Sequence, residues 1–93
     1  MDEKILTMHP TKGKKGVNIS KKKYDVIKDF LIKKIEEAKE ITYQELNDLA
    51  VKELSNSFEG SVPWYVVSVK LDLEARRIIE RIPKTSPHKI RLK

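Results

Sequence analysis

Apolar positions in this chain follow two spacings, one helical through the middle and one alternating near the end. Tyr24, Ile27, Leu31, Ile35 and Ala38 recur at steps of three and four, with Phe30 beside them. That spacing predicts a first helix over about 21–39 with one buried face. Ser20 is its candidate N-cap, and Ile19 with Tyr24 fits a hydrophobic staple across the helix start. A short extended element, Ile41-Thr42, comes next. Thr42 with Glu45 three residues on has the form of a capping box, and Leu46, Leu49, Ala50 and Leu54 supply the stripe of a second helix. Ser55-Asn56-Ser57 ends it, and Phe58 is expected to anchor the turn that follows.

A third helix is predicted over 62–75, with Ser61 as N-cap and Pro63 in the first turn, where its missing N–H costs little. At about 100° per residue, Val62, Val66, Val69 and Leu73 share one face. Trp64, Val67, Leu71 and Ala75 lie nearly opposite. Tyr65, Ser68, Asp72 and Arg76 take one flank, and Lys70 and Glu74 the other. A helix apolar on two sides is buried or faces a partner. The N-terminal segment or a second subunit must then cover the Trp64 stripe, and Trp64 itself is expected in the core.

Beyond the third helix the period changes. Residues 78–82 and 88–92 have strand-like composition, and Pro83-Lys84-Thr85-Ser86-Pro87 between them predicts a turn. The second segment alternates Lys89, Arg91 and Lys93 with Ile90 and Leu92, so one face packs and the other projects cations. Residues 1–19 are read as an extended or flexible basic arm. Ile5-Leu6 and Met8 are its docking points, and Lys12 to Gly16 form a basic loop. The folded domain is then 20–93, of class α+β.

Composition narrows the options. Ninety-three residues with 39% hydrophobic content suffice for one small core, and the chain has no cysteine, hence no disulfide or thiolate metal site. No apolar run approaches a signal peptide or a membrane span, so a cytoplasmic protein with no membrane partner is expected. The net charge of +6 is unevenly placed: +5 over 1–23, −4 over 24–60 and +5 over 61–93. Such asymmetry points to a polyanion, most often nucleic acid. Lys21, Lys22 and Lys23 oppose the helix macrodipole at a helix start, which makes sense if they meet phosphates and costs little if salt screens them. Likewise Lys84, Thr85 and Ser86 at the turn suit phosphates, whereas Arg81 and Arg91 have Glu80 as an alternative partner. Catalytic patterns are missing: His9 and His88 are remote from one another, Asp25 and Asp29 read as solvated acids on an exposed helix face, and no metalloprotease, phosphate-loop or nucleophile-elbow motif occurs. Neither an enzyme nor a metal or cofactor site is expected.

The order helix, short strand, helix, helix, hairpin resembles the winged helix-turn-helix superfamily, with the second and third helices linked through Gly60. More specifically, the chain resembles a family of small prokaryotic winged-helix-like proteins of unknown function. The residues carrying this are Asn18-Ile19, Tyr24, Thr42, Phe58, Gly60-Ser61, Trp64-Tyr65, the run from Val69 to Arg76, Glu80-Arg81, Pro87 and Arg91. It departs at Arg77, where a glycine is expected at the helix–strand corner. The resemblance implies an α+β winged helix: a three-helix core, a short strand before the second helix, and a C-terminal two-stranded wing. By analogy it also implies DNA binding and transcription regulation. The candidate contacts to duplex DNA are Lys21, Lys22, Lys23, Ser61, Tyr65, Ser68, Lys70, Lys84, Lys89 and Arg91. The alternative is a homodimer or protein-partner interface through Trp64, Val67 and Leu71.

Overall fold

The computed structural model describes residues 3–93. Eight elements follow one another: β1 (Lys4–Leu6), β2 (Asn18–Ser20), α1 (Lys21–Ala38), β3 (Ile41–Thr42), α2 (Tyr43–Leu54), α3 (Val62–Ala75), β4 (Ile79–Ile82) and β5 (Lys89–Leu92). Local chemistry sets the helix starts. The Ser20, Thr42 and Ser61 hydroxyls accept hydrogen bonds from the backbone N–H groups of Lys23, Glu45 and Trp64, three residues on in each case.

The core forms where the three helix stripes meet the sheet. Tyr24, Ile27, Leu31 and Ile35 of α1, Leu46 and Ala50 of α2, and Val62, Val66, Val69 and Leu73 of α3 are all buried. Ile41, Ile79 and Ile90 close the core from the sheet side, and Ile19 from the N-terminal side. Ala38, placed in the α1 stripe by its spacing, is exposed at the last position of the helix, and Leu49 and Leu54 are only half-buried.

Strand order in the three-stranded antiparallel sheet is β3-β5-β4, so the last strand is central. Ile41 pairs with Ile90, and Ile79 with Leu92, which puts isoleucines of successive strands on the helix side. With three helices and this C-terminal strand pair, the architecture is α+β and winged-helix-like. Both wing strands are one residue shorter than expected, leaving Ile78 and His88 outside the ladder.

The N-terminal segment is not a loose arm over its described length. β1 and β2 pair antiparallel with Ile5 opposite Ile19, and Ile19 enters the core, so a boundary after residue 19 would cut β2. Beyond the ladder, the Thr7 N–H donates to the Val17 carbonyl (2.8 Å), and the Val17 N–H donates to the Thr7 hydroxyl (2.7 Å). Gly16 permits this: a Cβ there would lie 1.9 Å from the Thr7 carbonyl oxygen.

The corner between α3 and β4 bears on the odd Arg77. The Ile78 N–H donates to the Leu73 carbonyl (2.9 Å) and the Arg77 N–H to the Glu74 carbonyl (3.1 Å), the paired bonds of a Schellman motif. Position C′ of that motif needs a left-handed backbone, and Arg77 supplies it at φ 62°. Arginine therefore stands where glycine is the easier residue.

Candidate nucleic-acid interface

Around the start of α3 the fold gathers three aromatic rings and the first turn of α1. Phe58 and Tyr65 meet edge to face with centroids 5.0 Å apart, and Tyr65 and Trp64 do the same at 4.9 Å. Lys23 Nζ lies 5.6 Å from the Tyr65 ring centroid and 5.9 Å from that of Phe58, within cation–π range of both. Phe58 and Tyr65 are half-buried, but Trp64 is 44% exposed. The expectation of Trp64 in the core is thereby corrected: Val62, Val66, Val69 and Leu73 use up the inward arc of α3, and the indole is left outside.

Next to these rings, Lys22, Lys23, Val26, Leu54, Ser57, Phe58 and Glu59 line an open cleft of 190 Å³ between α1 and the α2–α3 linker. Its floor is apolar and its rim carries two ammonium groups and one carboxylate. Lys21 is partly committed, since its ammonium contacts Asp25 at 3.0 Å and that pairing holds its pKa above the usual value. Among the described residues, Lys22 and Lys23 have no carboxylate within 4.0 Å.

The basic loop of the N-terminal hairpin approaches the same helix from another side. Thr7, Met8, Lys15, Gly16 and Val17 line a small gap against Ser68 and Leu71 of α3. Leu71 is thus covered within the chain, and Val67 is half-buried, so Trp64 is the one member of the proposed partner stripe that is exposed. The Ser61 hydroxyl caps the helix, and the Ser68 hydroxyl donates to the Trp64 carbonyl (2.9 Å).

Four of the expected contacts lie elsewhere. Lys70 is only 7% exposed, with its ammonium 2.7 Å from Glu74 and 5.4 Å from the Tyr43 ring centroid. It is an internal tie rather than a phosphate ligand, because the flank it occupies turns toward α2. Glu74 also accepts from Arg81 Nε at 3.4 Å. On the wing, Arg91 pairs with Glu80 at 2.8 Å and Lys89 approaches Glu40 at 4.0 Å. Thr85 spends its hydroxyl bracing the loop, donating to the Ile82 carbonyl (2.8 Å) and accepting from the Lys89 N–H (3.0 Å). Lys84 is exposed with φ 61°.

Position separates the two basic groups further. Arg91 and Leu92 line a cleft with Ile35, Glu36, Lys39 and Glu40 at the C-terminal end of α1. Lys21, Lys22 and Lys23 begin that helix, 18 residues long and therefore about 27 Å from end to end. The cations of the two chain ends do not merge into one surface; the helix start and the wing are separate patches.

Sequence reasoning passed over Asp72, the most constrained polar residue. Its carboxylate is fully buried and accepts from the Met8 N–H (2.8 Å), from the Tyr24 hydroxyl in a short bond, and from Arg76 Nε (2.9 Å to each oxygen). One side chain thus joins the N-terminal hairpin, α1 and α3. Burial, then the hydrogen bond to Asp72, pushes the Tyr24 phenol well above its ordinary pKa, and the Asp72 carboxylate raises that of Arg76. A helical wheel put Asp72 on a polar flank beside Arg76, and no pattern in the sequence signals that the hairpin folds over that flank.

Among the described residues no helix is long and apolar enough to cross a membrane, and no group of three His, Cys, Asp or Glu side chains is placed to hold a metal ion. A family model described as a family of unknown function, DUF6958, matches residues 4–90. No curated protein and no solved structure matches the chain.

Proposed function

The chain belongs to this family of unknown function, and we propose that it binds nucleic acid, chiefly through backbone phosphates, on the surface formed by the first turn of α1 and the start of α3. Duplex DNA is the form that the winged-helix-like arrangement suits, with transcription regulation as the associated role. The observation that carries the reading is the pair Lys22 and Lys23, free of carboxylates within 4.0 Å among the described residues, with Lys23 set against Phe58 and Tyr65. Lys21, Ser61 and Tyr65 flank them, while Lys15 of the hairpin loop lies beside Ser68 on another side of α3. The wing residues Lys84, Lys89 and Arg91 form a second patch that touches the same ligand only if it spans the length of α1.

Fluorescence anisotropy with labelled duplex at a series of salt concentrations tests this. Affinity should fall steeply with salt, and Lys22→Glu with Lys23→Glu should lower the log–log slope by about 2, one unit per lost phosphate contact. Binding that ignores salt, or no binding of either duplex or single strand near 50 mM salt, refutes the proposal.

A second reading, a homodimer or protein-partner interface, draws on one observation: Trp64 (44%), Met8 (45%) and Leu6 (66%) are exposed large apolar side chains. Light scattering on the Trp64→Glu variant tests it. Leu71→Glu is unsuitable, since Leu71 packs beneath the hairpin. A dimer that Trp64→Glu dissolves supports this reading, and a monomeric wild-type protein removes its homodimer form.

A further inference from the structure

We infer that Trp64 is a stacking platform for an unpaired base, so that the preferred nucleic acid is single-stranded or carries a single-stranded segment. The inference rests on the phosphate-binding reading above and replaces the duplex named there by a single strand.

Two features of α3 argue for stacking over groove readout. Sequence-specific contact with base edges in the major groove is made mainly by Arg, Lys, Asn and Gln side chains, and also by Ser, Thr, Asp and Glu. α3, Val-Pro-Trp-Tyr-Val-Val-Ser-Val-Lys-Leu-Asp-Leu-Glu-Ala, contains no Arg, Asn or Gln; its one lysine is buried against Glu74, Asp72 is buried, and the Ser68 hydroxyl donates to the Trp64 carbonyl. A helix so equipped has little with which to read a duplex. What it does present is an indole, 44% exposed, held edge to face against Tyr65 at an interplanar angle of 81°. Tyr65 is in turn held at 72° to Phe58. The rings brace one another, so Trp64 keeps a fixed orientation and loses little freedom when a base covers it.

Charge completes the site. From the Trp64 ring it is 4.9 Å to Tyr65, and from Tyr65 another 5.6 Å to the Lys23 ammonium. An aromatic face beside cations that track a phosphate chain is the pairing by which single strands are bound without sequence preference, each stacked base contributing about 1–3 kcal/mol. In a duplex the same base is already stacked and paired, so Trp64 gains a partner only by opening the helix.

The chain has a single tryptophan, so indole fluorescence, excited beyond the absorption of its three tyrosines, reports this site alone. Short oligothymidylate, titrated at low salt, should quench Trp64 and bind more tightly than a duplex of equal length. Anisotropy of the labelled strand should show Trp64→Ala weakening single-strand binding roughly tenfold, with Trp64→Tyr restoring most of it and duplex affinity changing less than about twofold. Far-UV circular dichroism of each variant checks that the fold is kept. Binding of the labelled single strand without quenching, and with Trp64→Ala equal to wild type, overturns the stacking inference and leaves the phosphate reading intact. Absence of binding by either strand form at low salt overturns both.

Discussion

Asp72→Ala tests the account of how the N-terminal hairpin is held. In the folded protein the carboxylate answers three donors: the Met8 N–H, the Tyr24 hydroxyl and Arg76 Nε. Arg76 is partly exposed and returns to water when the carboxylate goes, but Tyr24 is 4% exposed and its hydroxyl has no such recourse. Each orphaned buried donor costs about 1–3 kcal/mol, so the substitution should destabilise the chain by about 3 kcal/mol, the low end for breaking a buried charged network. Against a domain stability of about 5–15 kcal/mol, that is a Tm lower by roughly 10–25 °C. Urea denaturation of four proteins gives the decisive comparison: wild type, Tyr24→Phe, Asp72→Ala and the double variant. Tyr24→Phe alone should cost about 1 kcal/mol, whereas on the Asp72→Ala background it should cost nothing or stabilise, because the hydroxyl has already lost its acceptor. Hydrogen exchange should show the Met8 amide losing protection first, since its bond spans 64 residues of sequence and ties the hairpin to α3. Additive effects within about 0.5 kcal/mol would refute the reasoning.

Two further outcomes follow from the same structure. Arg77→Gly should raise stability by about 0.5–1 kcal/mol, because glycine avoids the left-handed penalty at φ 62° and loses only part of the gain to backbone entropy; a lower denaturation midpoint contradicts it. Alkali should destabilise the fold through Tyr24, whose folded pKa lies above its ordinary 10.0 because of burial and Asp72. The folded chain keeps a proton that the unfolded chain releases, so this contribution is complete below about pH 10 and is lost as pH rises toward the folded value. Unfolding free energies at about pH 9 and pH 11 should differ more in wild type than in Tyr24→Phe, and equal differences count against it.

Helix boundaries were legible because they are local. Ser20, Thr42 and Ser61 each satisfy an amide three residues away, and α3 runs from Val62 to Ala75 as its cap and spacing predict. The corner at Arg77 differs: the family resemblance raised the expectation of glycine there, and the bonds that require a left-handed backbone are seen only in the structure. Side-chain fates on α3 were less legible. Its apolar residues occupy two faces, so periodicity placed Val62, Val66, Val69 and Leu73 inward correctly, but the expectation that Trp64 also lies in the core fails. The hairpin covers Leu71 and leaves Trp64 outside.

Charge shows the same division. Composition determined that both ends of the chain are basic and the middle acidic, because that is a count along the sequence. Whether those cations converge depends on helix length and packing: α1 holds Lys21–Lys23 and the wing at opposite ends, and Glu80, Glu74 and Glu40 neutralise Arg91, Lys70 and Lys89. Asp72 is the extreme case. Its donors come from residues 8, 24 and 76, and only the chain folding back on itself brings the first two within hydrogen-bonding distance. Capping and periodicity act over three or four residues and can be read from order alone, whereas burial of a carboxylate or exposure of an indole is settled by what the rest of the chain lays across it.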